Sequence, residues 1–157
     1  MKKQKGFSLI ELLIVVAIIL IIAAIAIPNL IRSKMAANEA SAVASLRTIN
    51  TGEVTYNNTY PGAFAALSSL GPGGATCSTP ASANACLIDN LLANATKSGY
   101  TFTVTQSTTT YTSEAEPTTP GSTGTRGFCS DQNLVLFYTA TGKATAGTCT
   151  TGSGTPL

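Results

Sequence analysis

The apolar positions of this chain fall into three regimes. From Phe7 to Ile27 they form an almost unbroken run of 21 residues in which Glu11 is the one charged side chain. As an α-helix, a run of that length spans roughly 30 Å, the thickness of a bilayer's hydrocarbon core. Beyond it the pattern becomes helical in period. Ile31, Met35, Val43, Leu46, Ile49 and Val54 alternate with Arg32, Lys34, Glu39 and Arg47, and alanines fill much of the remainder. This predicts an amphipathic continuation of the helix to about Asn50–Tyr56, with its stripe packed against the chain's own domain. No strict heptad is maintained, so a coiled coil is not expected. Pro28 stands at the junction. It lacks a backbone donor and frees the carbonyl of Ala24, which predicts a kink near Leu20–Asn29.

In the second half glycine and proline punctuate the chain at Gly52, Tyr60-Pro61-Gly62 and Gly71-Pro72-Gly73-Gly74. Ala63–Leu70 reads as a short helix and Cys86–Ala95 as another turn or two, with Lys97 and Gly99 suited to its C-terminal end. Then the period falls to two. Tyr100-Thr101-Phe102-Thr103-Val104-Thr105 alternates apolar residues with threonine, the mark of a half-buried strand with one wet face. Tyr111–Glu116 and Leu134–Thr139 read as further strands, with Thr141-Gly142-Lys143 as a turn. Pro117–Arg126 and Gly147–Leu157 read as loops, the latter as a mobile tail. An antiparallel sheet laid on the amphipathic helix would bury both apolar faces, so the expected class is α+β.

The N-terminal flank changes what the apolar run means. Lys2, Lys3 and Lys5 precede it, which orients the N-terminus to the cytoplasm and the rest of the chain outward. An ordinary secretory signal has a shorter apolar core followed by a small-residue cleavage site. Here the small residue, Gly6, comes before the run, so a cut there would leave the helix attached. A charge inside a membrane segment costs roughly 2.5–3.5 kcal/mol on insertion scales, so Glu11 needs a reason. The helix macrodipole supplies about 0.3–1 kcal/mol of it. Pairing with an α-amine created at Phe7, on the same or a neighbouring copy, would supply more and would fix the axial register of packed helices.

Lys5-Gly6-Phe7-Ser8-Leu9-Ile10-Glu11-Leu12 resembles the cleavage and methylation motif of type IV prepilins and related pseudopilins. The close match covers roughly residues 1–35, and the remainder agrees in general layout. The resemblance implies that a prepilin peptidase cuts after Gly6 and N-methylates Phe7, that Glu11 sets assembly register, and that Pro28 is the kinking proline. It also implies a long helical spine (membrane and filament core) packed on a small antiparallel β-sheet head. The corresponding division is a leader over 1–6, a core helix over 7–28, its amphipathic continuation over 29–56 and a globular head over 57–157. The implied partners are identical subunits in a helical filament, the peptidase, an assembly platform with its ATPase, and the inner membrane before assembly. The end state would be an extracellular pilus serving adhesion, twitching motility or DNA uptake.

Cys77, Cys86, Cys129 and Cys149 all fall in the exported part, where an even count argues for disulfides. Three pairings are possible. Cys77–Cys86 and Cys129–Cys149 are favoured because both close local loops, and the second resembles the disulfide-bounded C-terminal region of many pilins. Without histidine or a Cys-x-x-Cys pair a zinc site is not expected, and Asp131 beside Gln132 and Asn133 is a weak basis for calcium. With Lys2, Lys3 and Lys5 set aside, basic and acidic side chains number 6 and 7, so no electrostatic nucleic-acid site is evident. No catalytic constellation, phosphate-binding loop or cofactor motif appears. Glu114 and Glu116 share a strand face, which reads as a solvated face. The threonine richness reads as β-propensity and solubility rather than glycosylation. The rival readings are a type II secretion pseudopilin, a minor pilin and a membrane-anchored binding module.

Overall fold

The computed structural model describes residues 6–74, 76, 77, 79–143 and 154–157. The chain divides into two compact units, Met1–Lys34 and Met35–Leu157. One helix, α1 (Leu9–Thr59), supplies most of the first unit and the spine of the second.

In the first unit the large apolar side chains of α1 are uncovered among the described residues. Phe7, Leu9, Ile10, Leu12 and their successors to Ile31 are exposed. Pro28 lies inside the helix, which continues past it.

In the second unit α1 turns a narrow stripe inward. Glu39, Ala42, Leu46, Ile49 and Glu53 are buried at alternating spacings of three and four, the recurrence that keeps side chains on one helical face. This corrects the expected stripe. Val54 is 41% exposed, whereas Glu39, assigned by its charge to the wet face, is buried.

Six antiparallel strands follow one another in chain order: β1 (Thr96–Lys97), β2 (Tyr100–Gln106), β3 (Tyr111–Pro117), β4 (Gly127–Asp131), β5 (Leu136–Thr139) and β6 (Thr155–Pro156). The register aligns Phe102, Ala115, Phe128 and Tyr138 in one row across four strands. The next row, two residues along, is Val104, Ser113, Ser130 and Leu136. Residues two apart share a face, so both rows look the same way, into the core that contains Leu46 and Ile49 of α1. The middle of that face is small, with Ala115, Ser113 and Ser130, which lets α1 approach the sheet closely. Asn50 meets the serines there. Its Nδ2 donates to Ser130 Oγ at 2.7 Å, and its Oδ1 accepts from Tyr111 Oη and Ser113 Oγ.

Two short helices, α2 (Leu67–Leu70) and α3 (Asn90–Ala93), cap the core with Leu70 and Leu92. The helical segment expected over Cys86–Ala95 shrinks to α3. Cys86 takes a positive φ of 58°, and Asp89 caps the helix by accepting the N–H of Leu92 at 2.9 Å. Lys97 belongs to β1 and pairs with Asp89 at 2.6 Å rather than closing the helix.

Three strands were not expected, β1 among them. All five residues of β4, Gly127-Phe128-Cys129-Ser130-Asp131, are buried, so no alternation marks it. Of the tail expected over Gly147–Leu157, residues 147–153 lie outside the described residues; the remainder holds β6, where Phe137 faces Pro156 and Tyr138 faces Thr155. The strand expected from Leu134 begins at Leu136. Leu134 has φ 65°, and Asp131 Oδ1 accepts the N–H of Asn133, so these residues make the β4–β5 turn. The face shared by Glu114 and Glu116 is half-buried rather than solvated. Burial, and then the charge of Glu116, raise the Glu114 carboxyl above its ordinary value.

Candidate assembly interface

The N-terminal end of α1 is built by a local reciprocal pattern. Ser8 precedes the first helical residue, and Glu11 stands three positions later. The Glu11 carboxylate reaches back, and its Oε2 accepts the N–H of Ser8 at 2.9 Å. This is the glutamate half of a capping box, which satisfies one of the backbone donors that a helix start leaves open. The Ser-x-x-Glu spacing was legible in the sequence. The macrodipole reading of Glu11 therefore gains a specific atom-to-atom form, and the carboxylate already has an intrachain partner before any second copy arrives.

Gly6 and Phe7 lie just outside the helix, both exposed, with Phe7 at 76%. A Cβ built on Gly6 meets no atom within 4 Å, and its φ is not positive. Among the described residues, no packing contact requires glycine there. Behind these residues comes the exposed apolar surface of Leu9 to Ile31, with Pro28 inside it. In water each such side chain forfeits about 1.5–3 kcal/mol relative to burial. The surface is therefore matched to lipid or to other apolar helices. The helix is long and apolar enough to cross a membrane.

The cysteines are in the second unit. Cys77 and Cys86 are joined, with their Cα atoms 5.8 Å apart. Cys129, buried in β4 against Phe137, is disulfide-bonded. Its expected partner, Cys149, lies outside the described residues.

Residues 1–27 match a protein family described as "Prokaryotic N-terminal methylation motif". Two curated proteins are similar over longer stretches. A type IV wide pilus major component, PilA4, of Thermus thermophilus is 47% identical over 74 residues, covering 45% of this chain and 56% of that protein. The N-terminus carries the prokaryotic N-terminal methylation motif and is similar to that of a type IV pilus component. The type IV major pilin protein PilA of Myxococcus xanthus is 44% identical over 54 residues, covering 34% of this chain and 24% of that pilin. The chain thus spans about half the length of the first relative and a quarter of the second. No solved structure matches. The helical spine with an antiparallel sheet is a pilin-like α+β architecture.

Sequence reasoning missed two carboxylates that hold this pilin-like head on its helix. The first is Glu39. Its Oε1 accepts from Thr125 N, Thr125 Oγ1 and Arg126 N at 2.9, 3.0 and 3.2 Å. Its Oε2 accepts from Arg126 Nε at 2.7 Å, and the same guanidinium closes an ion pair at 2.7 Å. Burial alone would raise this carboxyl, but the donors from Thr125 and Arg126 outweigh it and hold the group below its ordinary value. The rings of Phe128 and Tyr138 flank the Arg126 guanidinium at 5.6 and 5.4 Å. The second is Glu53, whose Oε2 accepts the N–H of Ala65 at 2.9 Å. Both acids interrupt an otherwise apolar stripe, and that interruption was the available signal.

Proposed function

We propose that this chain is a structural subunit of a type IV pilus, divided as leader 1–6, core helix 7–28, amphipathic continuation 29–56 and head 57–157. A prepilin peptidase cuts after Gly6 and methylates Phe7. The observation that carries the reading is a glycine with no packing reason among the described residues, set shortly before a capped helix whose apolar surface is uncovered. A glycine that the fold does not need is explained by an enzyme that docks there.

The precursor rests in the inner membrane on residues 7–27, with the lysine-rich end in the cytoplasm. On assembly, apolar helices exchange lipid for one another. That exchange gains little, because lipid tails are as apolar as leucine. An assembly platform and its ATPase therefore drive extraction. Once outside, the same surfaces are held together by about 1.5–3 kcal/mol for each buried apolar side chain, now measured against water. Glu11 sets the register by exchanging or sharing its Ser8 contact with the Phe7 amine of a neighbour, and Pro28 relaxes the helix as copies pack. The filament serves adhesion, twitching motility or DNA uptake, and no reaction is assigned to the chain.

The test is intact mass and N-terminal peptide mass spectrometry on sheared surface filaments. The expected species begins with methylated Phe7 and dominates the fibres. A Gly6-processed chain confined to the inner membrane would replace this reading with the secretion pseudopilin or a minor subunit. A chain still beginning at Met1 and found only in membranes would leave a membrane-anchored module. Glu11→Leu is expected to abolish assembly while leaving membrane insertion intact.

A further inference from the structure

Glu39 and Glu53 occupy the same stripe of α1, yet they are solvated very differently. Glu39 is saturated with donors. Glu53 is fully buried and has one, the N–H of Ala65 on Oε2. Its Oε1 is the buried side-chain atom left without a hydrogen-bond partner among the described residues. No lysine or arginine makes an ion pair with it there. The titratable group facing it is Tyr111 of β3. That phenol is raised by burial first, then by the negative charges of Glu53 and of Asp131 on β4. Gly52, next in the helix, lies close to Ile88 and Leu70.

A carboxylate held by one hydrogen bond in such a place is costly when ionised, because a buried charge needs several partners. Two responses are open to it. It can stay protonated, or the element that buries it can move. That element is the short irregular segment Tyr60–Ala66 between α1 and α2. Ala65 is buried in the core, and the Tyr60 ring lies 5.1 Å from that of Tyr56. Beside the Glu53 contact, Phe64 N donates to Ser107 O at 3.3 Å, and the Phe64 ring lies 4.8 Å from that of Tyr111. Gly62 sits at φ 136°, so the backbone there is already that of a turn. Lifting residues 61–65 breaks no strand pairing, and the segment is fixed at its two ends, where Tyr60 N donates to Tyr56 O and Ala66 O accepts from Ser69 and Leu70 of α2; a short stretch tied mainly at its ends belongs to the parts of a fold that open locally.

We infer that Glu53 is a proton-operated latch between α1 and the Tyr60–Ala66 segment. The neutral carboxyl seats in the core and keeps the segment closed. Loss of its proton to solvent leaves an ion that only water can satisfy, and the segment opens to admit it, uncovering Phe64 and Tyr111. Burial sets the operating range by pushing the carboxyl up to about 7, with the single Ala65 N–H opposing. The latch is closed in mildly acidic surroundings and loosened in alkaline ones. This goes beyond the filament reading and does not depend on it.

The test is hydrogen exchange with mass spectrometry on the full chain in detergent at pH 6 and pH 8.5, corrected for the intrinsic base-catalysed rate. Linkage between a closed-state value near 7 and an ordinary open-state value makes opening about tenfold more favourable at the higher pH. Peptides covering residues 60–66 are expected to lose about tenfold in protection, while those covering β2 and β3 do not change. Glu53→Gln is expected to abolish the difference. Equal protection of wild-type residues 60–66 at both pH values, or an equal loss in Glu53→Gln, would overturn the latch. Should that variant fail to fold, carbon-13 titration of the wild-type Glu53 carboxyl decides. A midpoint of about 6 or above supports the latch, and a lower one overturns it.

Discussion

Removing the Glu39 carboxylate tests whether that group holds the head onto its helix. Glu39→Ala strips the acceptor from the N–H groups of Thr125 and Arg126, the Thr125 hydroxyl and the Arg126 guanidinium. Breaking a fully buried ion pair costs about 3–5 kcal/mol. The Arg126 side chain is 42% exposed, so water recovers part of its loss. The bonds from the two backbone donors are part-buried, and an unsatisfied buried donor costs about 1–3 kcal/mol, here an upper bound. The expected loss is therefore about 3 kcal/mol for Glu39→Ala and about 1–2 kcal/mol for Glu39→Gln, which keeps the volume and one acceptor. A folded-state value below the ordinary carboxylate range contributes stability that is present above that range and lost as pH falls through the folded value. The gap between wild type and Glu39→Gln should accordingly close on acidification. The assay is urea unfolding of the full chain in detergent, followed by tyrosine fluorescence, since the chain has five tyrosines and no tryptophan. The reasoning fails if both variants stay within about 0.5 kcal/mol of wild type at pH 7. It also fails if Glu39→Ala and Arg126→Ala are strictly additive, because partners in one network couple.

Two other perturbations probe the packing. A Cβ at Gly124 would collide with the phenol oxygen of Tyr100, which donates to Arg126 O at 2.8 Å. Gly124→Ala should cost about 1–3 kcal/mol by overpacking, read as a lowered urea midpoint, whereas Gly74→Ala, with open space around it, should not. Replacing Cys77 and Cys86 together by serine opens a loop with a sequence separation of 9. Chain entropy sets that loss at about 2–3 kcal/mol, measurable as a fall in Tm of the double variant.

The N-terminal third could be read directly from the residues. Helix length, apolar period and the Gly6–Glu11 spacing are consequences of local backbone geometry, and local geometry needs no partner. The alternating strands β2 and β3 were legible for the same reason. Their period of two is visible wherever one face is drier than the other. β4 was not, because burial on both faces erases alternation and leaves only Gly-Phe-Cys-Ser-Asp. β6 was not, because two residues carry no period, and their order comes from the β5 edge beside them.

The inward stripe of α1 shows where local reading stops. Charge suggested that Glu39 faced water, and by sequence alone that was the sound inference, since an unpaired buried carboxylate is prohibitive. Its partners Thr125 and Arg126 are 86 and 87 positions away, and they reach it only once the sheet has closed. Glu53 differs from Glu39 for the same reason, since the closed fold delivers five donors to one and a single N–H to the other. Periodicity is a property of neighbours along the chain, so it fixed the elements and the anchor. The protonation and anchoring of these two acids depend on which distant donors arrive, and that follows from strand register and from how closely α1 lies on the sheet.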